Sequence, residues 1–175
     1  VALDAEAEAV IDGVRRGLPI GELFVGPGQS RLDYTRDLLL RFRVPLSGPR
    51  EASAFKRIMR PQGVALPILG CAAWVRLDES GTHYAETRVC VGPVAKVPTR
   101  ASAVEDALQG QPVGAEAVEQ AAAVARDTLH SRTSKYRATA DYRHEMVEVL
   151  LRRVLPLAAE RARTGQAVPE GVGME

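Results

Sequence analysis

Three histidines and two cysteines are the side chains of this sequence best suited to metal ligation or nucleophilic attack. Their spacing supports neither. His83, His130 and His144 are scattered, and none pairs with another histidine or a carboxylate at ligand spacing on one predicted element. Cys71 and Cys90 form no Cys-x-x-Cys motif and are read as reduced, buried thiols. No Ser/His/Asp set can be defended, because triad partners are recognised by geometry and not by residue type. Gly26-Pro27-Gly28 is a weak phosphate loop, since Pro27 removes an amide donor. The cations remain. Lys56 and Arg60 flank a short basic segment, Phe55-Lys56-Arg57-Ile58-Met59-Arg60. Arg15-Arg16 reads as a solvated turn, Arg88 as structural, and Arg137, Tyr142 and Arg143 lie at the start of the last helical pattern. For that last group a core tyrosine, with arginines bound to loop carbonyls or carboxylates, is the favoured reading.

The elements that must position these residues can be read from periodicity. Residues 1–9 alternate apolar and acidic positions, compatible with a half-buried strand, while their Ala and Glu content favours helix. Gly13 and Val14 to Gly17 read as a turn, and Leu18 to Phe24 as a short helical turn carrying Phe24 inward. Leu40, Phe42 and Val44 alternate with Arg41 and Arg43, predicting a strand that ends before Pro45. Ser47-Gly48-Pro49 is a connector. Leu66 to Leu77 and Thr82 to Val91 predict an antiparallel hairpin about the turn Asp78-Glu79-Ser80-Gly81, with Cys71, Ala73 and Val75 on one face. Ser102 and Glu105 have capping-box spacing ahead of a helix that stops at Gly110. Ala115 to about His130 predicts a second helix and Asp141 to about Arg163 a third. The third has a stripe of Tyr142, Met146, Val149, Leu150, Val154 and Leu157, and Pro156 is expected to kink or split it.

The chain has 175 residues with a formal net charge of +1, 46% hydrophobic and 26% charged. That is ordinary for a globular protein with a real core. The balanced charge argues against a dedicated nucleic-acid binder. The apolar run near 64–75 contains Pro67 and Gly70 and is too short for a membrane span. Two cysteines make no disulfide scaffold, so a reducing cytoplasm is the expected compartment. The opening Val1, in place of Met, reads as a processed or partial chain. Aromatics are only 5%, which predicts a core of small aliphatics with helices packed closely on alanine.

Three stretches, in order and spacing, resemble the C-terminal part of one family. The first runs from Ser53 to Arg57 through Arg60, Gly63-Val64-Ala65-Leu66-Pro67 and the strand to Val75. The second is Thr87-Arg88-Val89-Cys90-Val91-Gly92-Pro93, followed by Pro98-Thr99-Arg100-Ala101, Glu105 and Leu108-Gln109-Gly110. The third is Ser134-Lys135-Tyr136-Arg137-Ala138-Thr139-Ala140-Asp141-Tyr142-Arg143, then Val149-Leu150, Arg152-Arg153 and Leu155. They look like the medium, FAD-carrying subunit of molybdenum hydroxylases, a family that includes carbon monoxide dehydrogenase, xanthine dehydrogenase and 4-hydroxybenzoyl-CoA reductase. Arg15 to Phe24, the loop at Gly26 and the strand end at Val44-Pro45 are similar to the close of that family's FAD-binding domain.

The resemblance implies an α+β fold, with a small antiparallel sheet of about three strands packed against about three helices. Residues 1–50 would be a remnant of an FAD-binding domain, 53–164 the C-terminal domain and 165–175 a flexible tail. It implies an oxidoreductase flavoprotein that passes electrons from iron–sulfur clusters through FAD to an acceptor. The partners would be a large subunit with the molybdenum cofactor and a small subunit with 2Fe–2S clusters, in a hetero-oligomer without nucleic acid or a membrane span. Lys56 and Arg60 are the implied cofactor-binding residues, on a loop leading into the C-terminal domain, where a cation can stabilise a reduced flavin. Members of the family often carry an acidic residue where Gly63 stands, and those resembling this chain carry two glycine-rich diphosphate segments that do not occur in this sequence. The alternative is therefore a non-catalytic docking domain of the same family that does not bind FAD alone. An unrelated α+β binding module is a third reading.

Overall fold

A computed structural model describes residues 1–59 and 65–167. The alternation at the start resolves as strand. β1 (Glu6–Ile11) and β2 (Val14–Pro19) form a hairpin with Ile11 opposite Val14. The two residues between them, Asp12 and Gly13, both take positive φ, 50° and 78°. An Asp-Gly pair in that conformation matches the twist of the flanking strands. The turn is thus Asp12-Gly13, and Val14 to Gly17 lie in the strand instead of the turn expected for them. A 3-10 turn (Ile20–Leu23) leads to the short strands β3 (Phe24–Gly26) and β4 (Gln29–Ser30). Phe24 is exposed and does not reach the core. β5 (Leu38–Arg43) then pairs with β1, giving an antiparallel sheet in the order β2-β1-β5.

The second sheet contains the main core. β6 (Glu51–Met59), β7 (Pro67–Leu77), β8 (Tyr84–Gly92) and β9 (Thr99–Arg100) are antiparallel in that order. The expected hairpin is β7–β8. Asp78 organises its turn by accepting from the backbone N–H groups of Thr82 and His83 at 2.9 and 3.0 Å. The basic segment from Phe55 to Met59, which contains Lys56, belongs to β6 and is not a loop. Its outward residues Phe55, Arg57 and Met59 alternate with Ala54, Lys56 and Ile58 as a strand requires.

Three helices cover one face: α1 (Ser102–Leu108), α2 (Ala115–Thr128) and α3 (Ala140–Thr164). Leu69, Cys71, Ala73 and Val75 of β7, with Val89 and Val91 of β8, meet Leu150, Leu151, Val154 and Leu155 of α3 in one core. Ala121, Ala122, Ala125, Ala158 and Ala159 are buried, so the helices do pack on alanine. The buried stripe of α3 is turned relative to the expected one. It follows Arg143, Val147, Leu150, Leu151, Val154, Leu155, Ala158 and Ala162, which is continuous with the small residues that allow close approach. Tyr142 is exposed and anchors no core. Pro156 lies within α3 and does not split it. Thr139 caps this helix, accepting from Tyr142 N–H, and Gly165 ends it in the left-handed conformation. The capping box at α1 does not form. Ala101 occupies the N-cap position, and the Glu105 carboxylate accepts instead from Val89 N–H at 2.7 Å and from Arg100 Nε at 2.6 Å.

No helix among the described residues is long and apolar enough to cross a membrane. The α+β class, the antiparallel sheet and the three helices match the expectation, with β9 as an added short edge strand.

Candidate functional site

β6 is an edge of the four-stranded sheet, and its alternation sets what each face offers. Lys56 lies opposite Cys71 in register, on the face that α3 covers, and is half-buried. Phe55 and Arg57 point the other way. The Phe55 ring lies across Gly70, where an added Cβ would come within 3.0 Å of the ring. Glycine at position 70 thus lets an aromatic ring lie close to the sheet backbone. Arg161 on α3 donates from Nη1 to the Ser53 carbonyl at 2.9 Å, tying the start of β6 to the helix layer. Lys56 therefore sits on a strand fixed from both sides. Arg60 and Gly63 lie outside the described residues.

A second cluster, which sequence reasoning did not assemble, joins the N-terminal segment to the sheet. The Arg88 guanidinium stacks on Trp74 and binds Asp4 at 2.8 Å and Glu86 at 3.0 Å. Asp4 also pairs with Arg100, which is held by Glu105. Leu3, Pro45 and Leu46 complete a cleft of about 330 Å³ beside these groups. Arg88 is structural, as expected. Trp74 is separated from it by a hairpin, so only strand register, with the two directly opposite, brings them together.

The nucleophile and metal candidates are closed off. Burial pushes the Cys71 thiol up to about 12, with the Cys90 charge adding to it. The thiolate is thus negligible at neutral pH. Cys90 lies opposite Ala72, so the two cysteines occupy opposite faces of the sheet, and both are free. No group of three or more metal-ligating side chains occurs among the described residues. His83 contacts the Thr82 hydroxyl, and His144 Nδ1 lies 3.3 Å from the Leu129 carbonyl. Arg143 is wholly buried and donates from Nη1 to the Arg132 carbonyl at 2.7 Å, a carbonyl-bound arginine as expected. Its pKa is lowered by burial and by Arg132 and Arg137.

As a cofactor wall these residues fit a flat ring and not a diphosphate. The face of β6 that carries Phe55 offers an aromatic ring, while Lys56 lies on the opposite face, half-buried on the side that α3 covers. The one glycine loop near the first sheet, Gly26-Pro27-Gly28, belongs to the β3–β4 hairpin, and Pro27 leaves it short of an amide donor.

Comparison with known proteins agrees with this architecture. Residues 53–158 match the CO dehydrogenase flavoprotein C-terminal domain family. The xanthine dehydrogenase FAD-binding subunit of Escherichia coli O157:H7 is 27% identical over 150 residues, covering 84% of this chain and 49% of that subunit. The chain spans about half the length of the relatives it matches. The structure of carbon monoxide dehydrogenase from Hydrogenophaga pseudoflava lacking the Mo-pyranopterin moiety superposes with a TM-score of 0.81 and 26% identity, over 92% of this chain and 54% of that one. Quinoline 2-oxidoreductase from Pseudomonas putida 86 shares the fold, with a TM-score of 0.80 and 21% identity over 93% of this chain and 54% of that one.

Proposed function

Since the chain belongs to the CO dehydrogenase flavoprotein C-terminal domain family and is the C-terminal portion of a medium FAD subunit, we propose that it works in electron transfer from iron–sulfur clusters through FAD to an acceptor. Bound flavin supplies the exchange between one-electron and two-electron steps. This chain supplies a wall of the site and part of a subunit interface. The partners in this reading are a large subunit with the molybdenum cofactor and a small iron–sulfur subunit. Residues 53–164 act as the C-terminal domain, and 1–50 as the close of the FAD-binding domain. Lys56 borders the flavin and favours its reduced, negatively charged form. Arg60, which follows Met59 in the sequence, adds a second cation in this reading. The observation that carries this reading is the family match over 53–158 with Lys56 on a half-buried edge strand inside it.

A second reading, a docking domain without chemistry of its own, draws on β5. Leu38 and Phe42 on β5, with Val44 and Leu46 just after it, are exposed, an apolar surface suited to another protein layer. One experiment separates the two. The purified chain is examined for the visible flavin band, before and after heat release of cofactor. It is examined again after mixing with a polypeptide carrying the glycine-rich diphosphate segments. Flavin held only in the mixture supports the electron-transfer reading. A folded mixture that never takes up FAD supports docking alone. Stoichiometric FAD on this chain by itself would show a diphosphate site that these residues do not suggest.

A further inference from the structure

Two connections between elements are joined to each other. Residues 93–98 link β8 to β9 and hold Lys96, and residues 129–139 link α2 to α3 and hold Arg132, Lys135 and Arg137. Neither connection contains an Asp or a Glu. Arg132 ties them together. Its backbone N–H donates to the Val94 carbonyl at 3.0 Å, and its Nε donates to the Ala95 carbonyl at 3.1 Å, next to Lys96. The Lys135 end is folded into a turn. Ser134 N–H donates to the Ala138 carbonyl at 2.9 Å, and Arg137 N–H to the Ser134 carbonyl at 3.1 Å. Lys96, Arg132, Lys135 and Tyr136 are all exposed.

The positive charge is not cancelled from within. Lys96, Arg132 and Lys135 pair with no carboxylate among the described residues, and Lys135 Nζ lies over the Tyr136 ring, 5.4 Å from its centroid. A further cation sits under the longer connection. Arg143 is wholly buried and reaches the Arg132 carbonyl from Nη1, while its Nε and Nη2 have no partner among the described residues. Burial and the charges of Arg132 and Arg137 lower its pKa, yet a guanidinium stays charged at neutral pH. A buried charge without a counter-charge is destabilising. An anion held above the two connections offsets it through space, without touching Arg143.

The surroundings limit the size of that anion. Asp127, in the last turn of α2, and Asp141, in the first turn of α3, are exposed carboxylates at either end of the cationic stretch. A long phosphate backbone would run onto them, and the whole chain carries a net charge of only +1. An exposed tyrosine among arginines is the composition of a protein interface. We propose that the joined connections form a docking site for a short acidic segment of a partner protein, its carboxylates held by Lys96, Arg132 and Lys135. This site does not depend on the flavin reading.

The probe is a fluorescein-labelled peptide of six glutamates, titrated with the full chain and followed by anisotropy. Saturable binding is expected, weaker by about tenfold when ionic strength is raised from about 0.01 M to about 0.15 M. Lys96→Ala and Lys135→Ala, one on each connection, should each weaken it by about fivefold and leave the circular dichroism unchanged, since both side chains are exposed. Arg153→Ala removes the same charge from an exposed position about three turns further along α3 and should leave binding as it was. The proposal is overturned if a peptide of six glutamines binds equally well, or if either lysine variant binds like the parent chain. It is also overturned if Arg153→Ala weakens binding as much as they do, which would reflect overall charge alone. Tighter binding of a six-thymidine oligonucleotide than of the peptide would overturn it in favour of a nucleic-acid site.

Discussion

The Arg88 guanidinium lies 3.7 Å from the centroid of the Trp74 ring. The same arginine holds Asp4, so one side chain joins the N-terminal segment to the open face of the second sheet. A largely desolvated cation over an indole is worth more than an exposed one, and the Arg88 side chain is only 16% exposed. Arg88→Ala should lower stability by about 1–2 kcal/mol. Arg88→Lys should recover less than half of that, because an ammonium loses the planar stacking. Trp74 is the sole tryptophan, so its fluorescence in urea titrations reports this contact directly. Equal midpoints for the parent and Arg88→Ala would show that the stack contributes nothing.

Much of this arrangement was legible in the sequence where a local signal matched the final environment. The β7–β8 hairpin was readable because apolar alternation and the Asp78 to Gly81 turn pointed the same way. β6 was hidden. Lys56 and Arg57 look like loop residues until the strand is seen as an edge whose charged ends escape the core. Glu105 fitted a helix cap by spacing, but Arg100 and the Val89 amide competed for its carboxylate and won. The stripe of α3 was misplaced because its apolar arc is wider than the contact it makes. Trp74 and Arg88 meet only through strand register, which no short-range pattern encodes. The cofactor assignment came from family resemblance, since Lys56 alone has no chemistry that distinguishes it from a surface lysine.

Lys56 gives that assignment a test. In a reconstituted FAD-bearing subunit, Lys56→Ala should lower the flavin reduction potential, because removing a cation disfavours the reduced, negatively charged form. Lys56→Arg should restore most of the shift. The measurement is a spectroscopic redox titration of each variant, together with the flavin reoxidation rate. Unchanged potentials and rates in Lys56→Ala would reduce the residue to a structural lysine of β6.

Glu8 should make the first sheet sensitive to acid. Its carboxylate is met by Arg15, Arg41 and Arg43 from the strands on either side, at 2.9, 2.7 and 2.7 Å. Its pKa is lowered, chiefly by the hydrogen bond from Arg41, with burial opposing and the charges of Arg41, Arg15 and Arg43 adding. The folded value lies below the unfolded one. The stabilisation is therefore complete above the ordinary glutamate range and is lost as pH falls through the depressed value. Glu8→Gln should remove this part of the acid dependence and leave a lower, flatter profile. Urea midpoints for both proteins from neutral pH into acid check it, and parallel curves would rule Glu8 out as the source.

Cys71 should be silent to thiol reagents in the folded protein. Its side chain is wholly buried between β7 and the helices, and burial pushes its thiol up to about 12. Both effects act in one direction: the reagent cannot reach the sulfur, and the sulfur carries almost no thiolate at neutral pH. Alkylation must then wait for an opening of the core, and its rate should track the population of the opened state. Iodoacetamide labelling followed by peptide mass analysis should find Cys71 modified at least roughly a thousandfold more slowly than in the urea-unfolded chain. Leu155→Ala, which leaves a cavity in the same core, should speed the reaction by about thirtyfold or more by destabilising the fold by at least about 2 kcal/mol. Labelling of Cys71 at the unfolded rate in the native chain would contradict the packing of α3 on β7. Equal rates in the parent and Leu155→Ala would show that access to the thiol does not require the core to open.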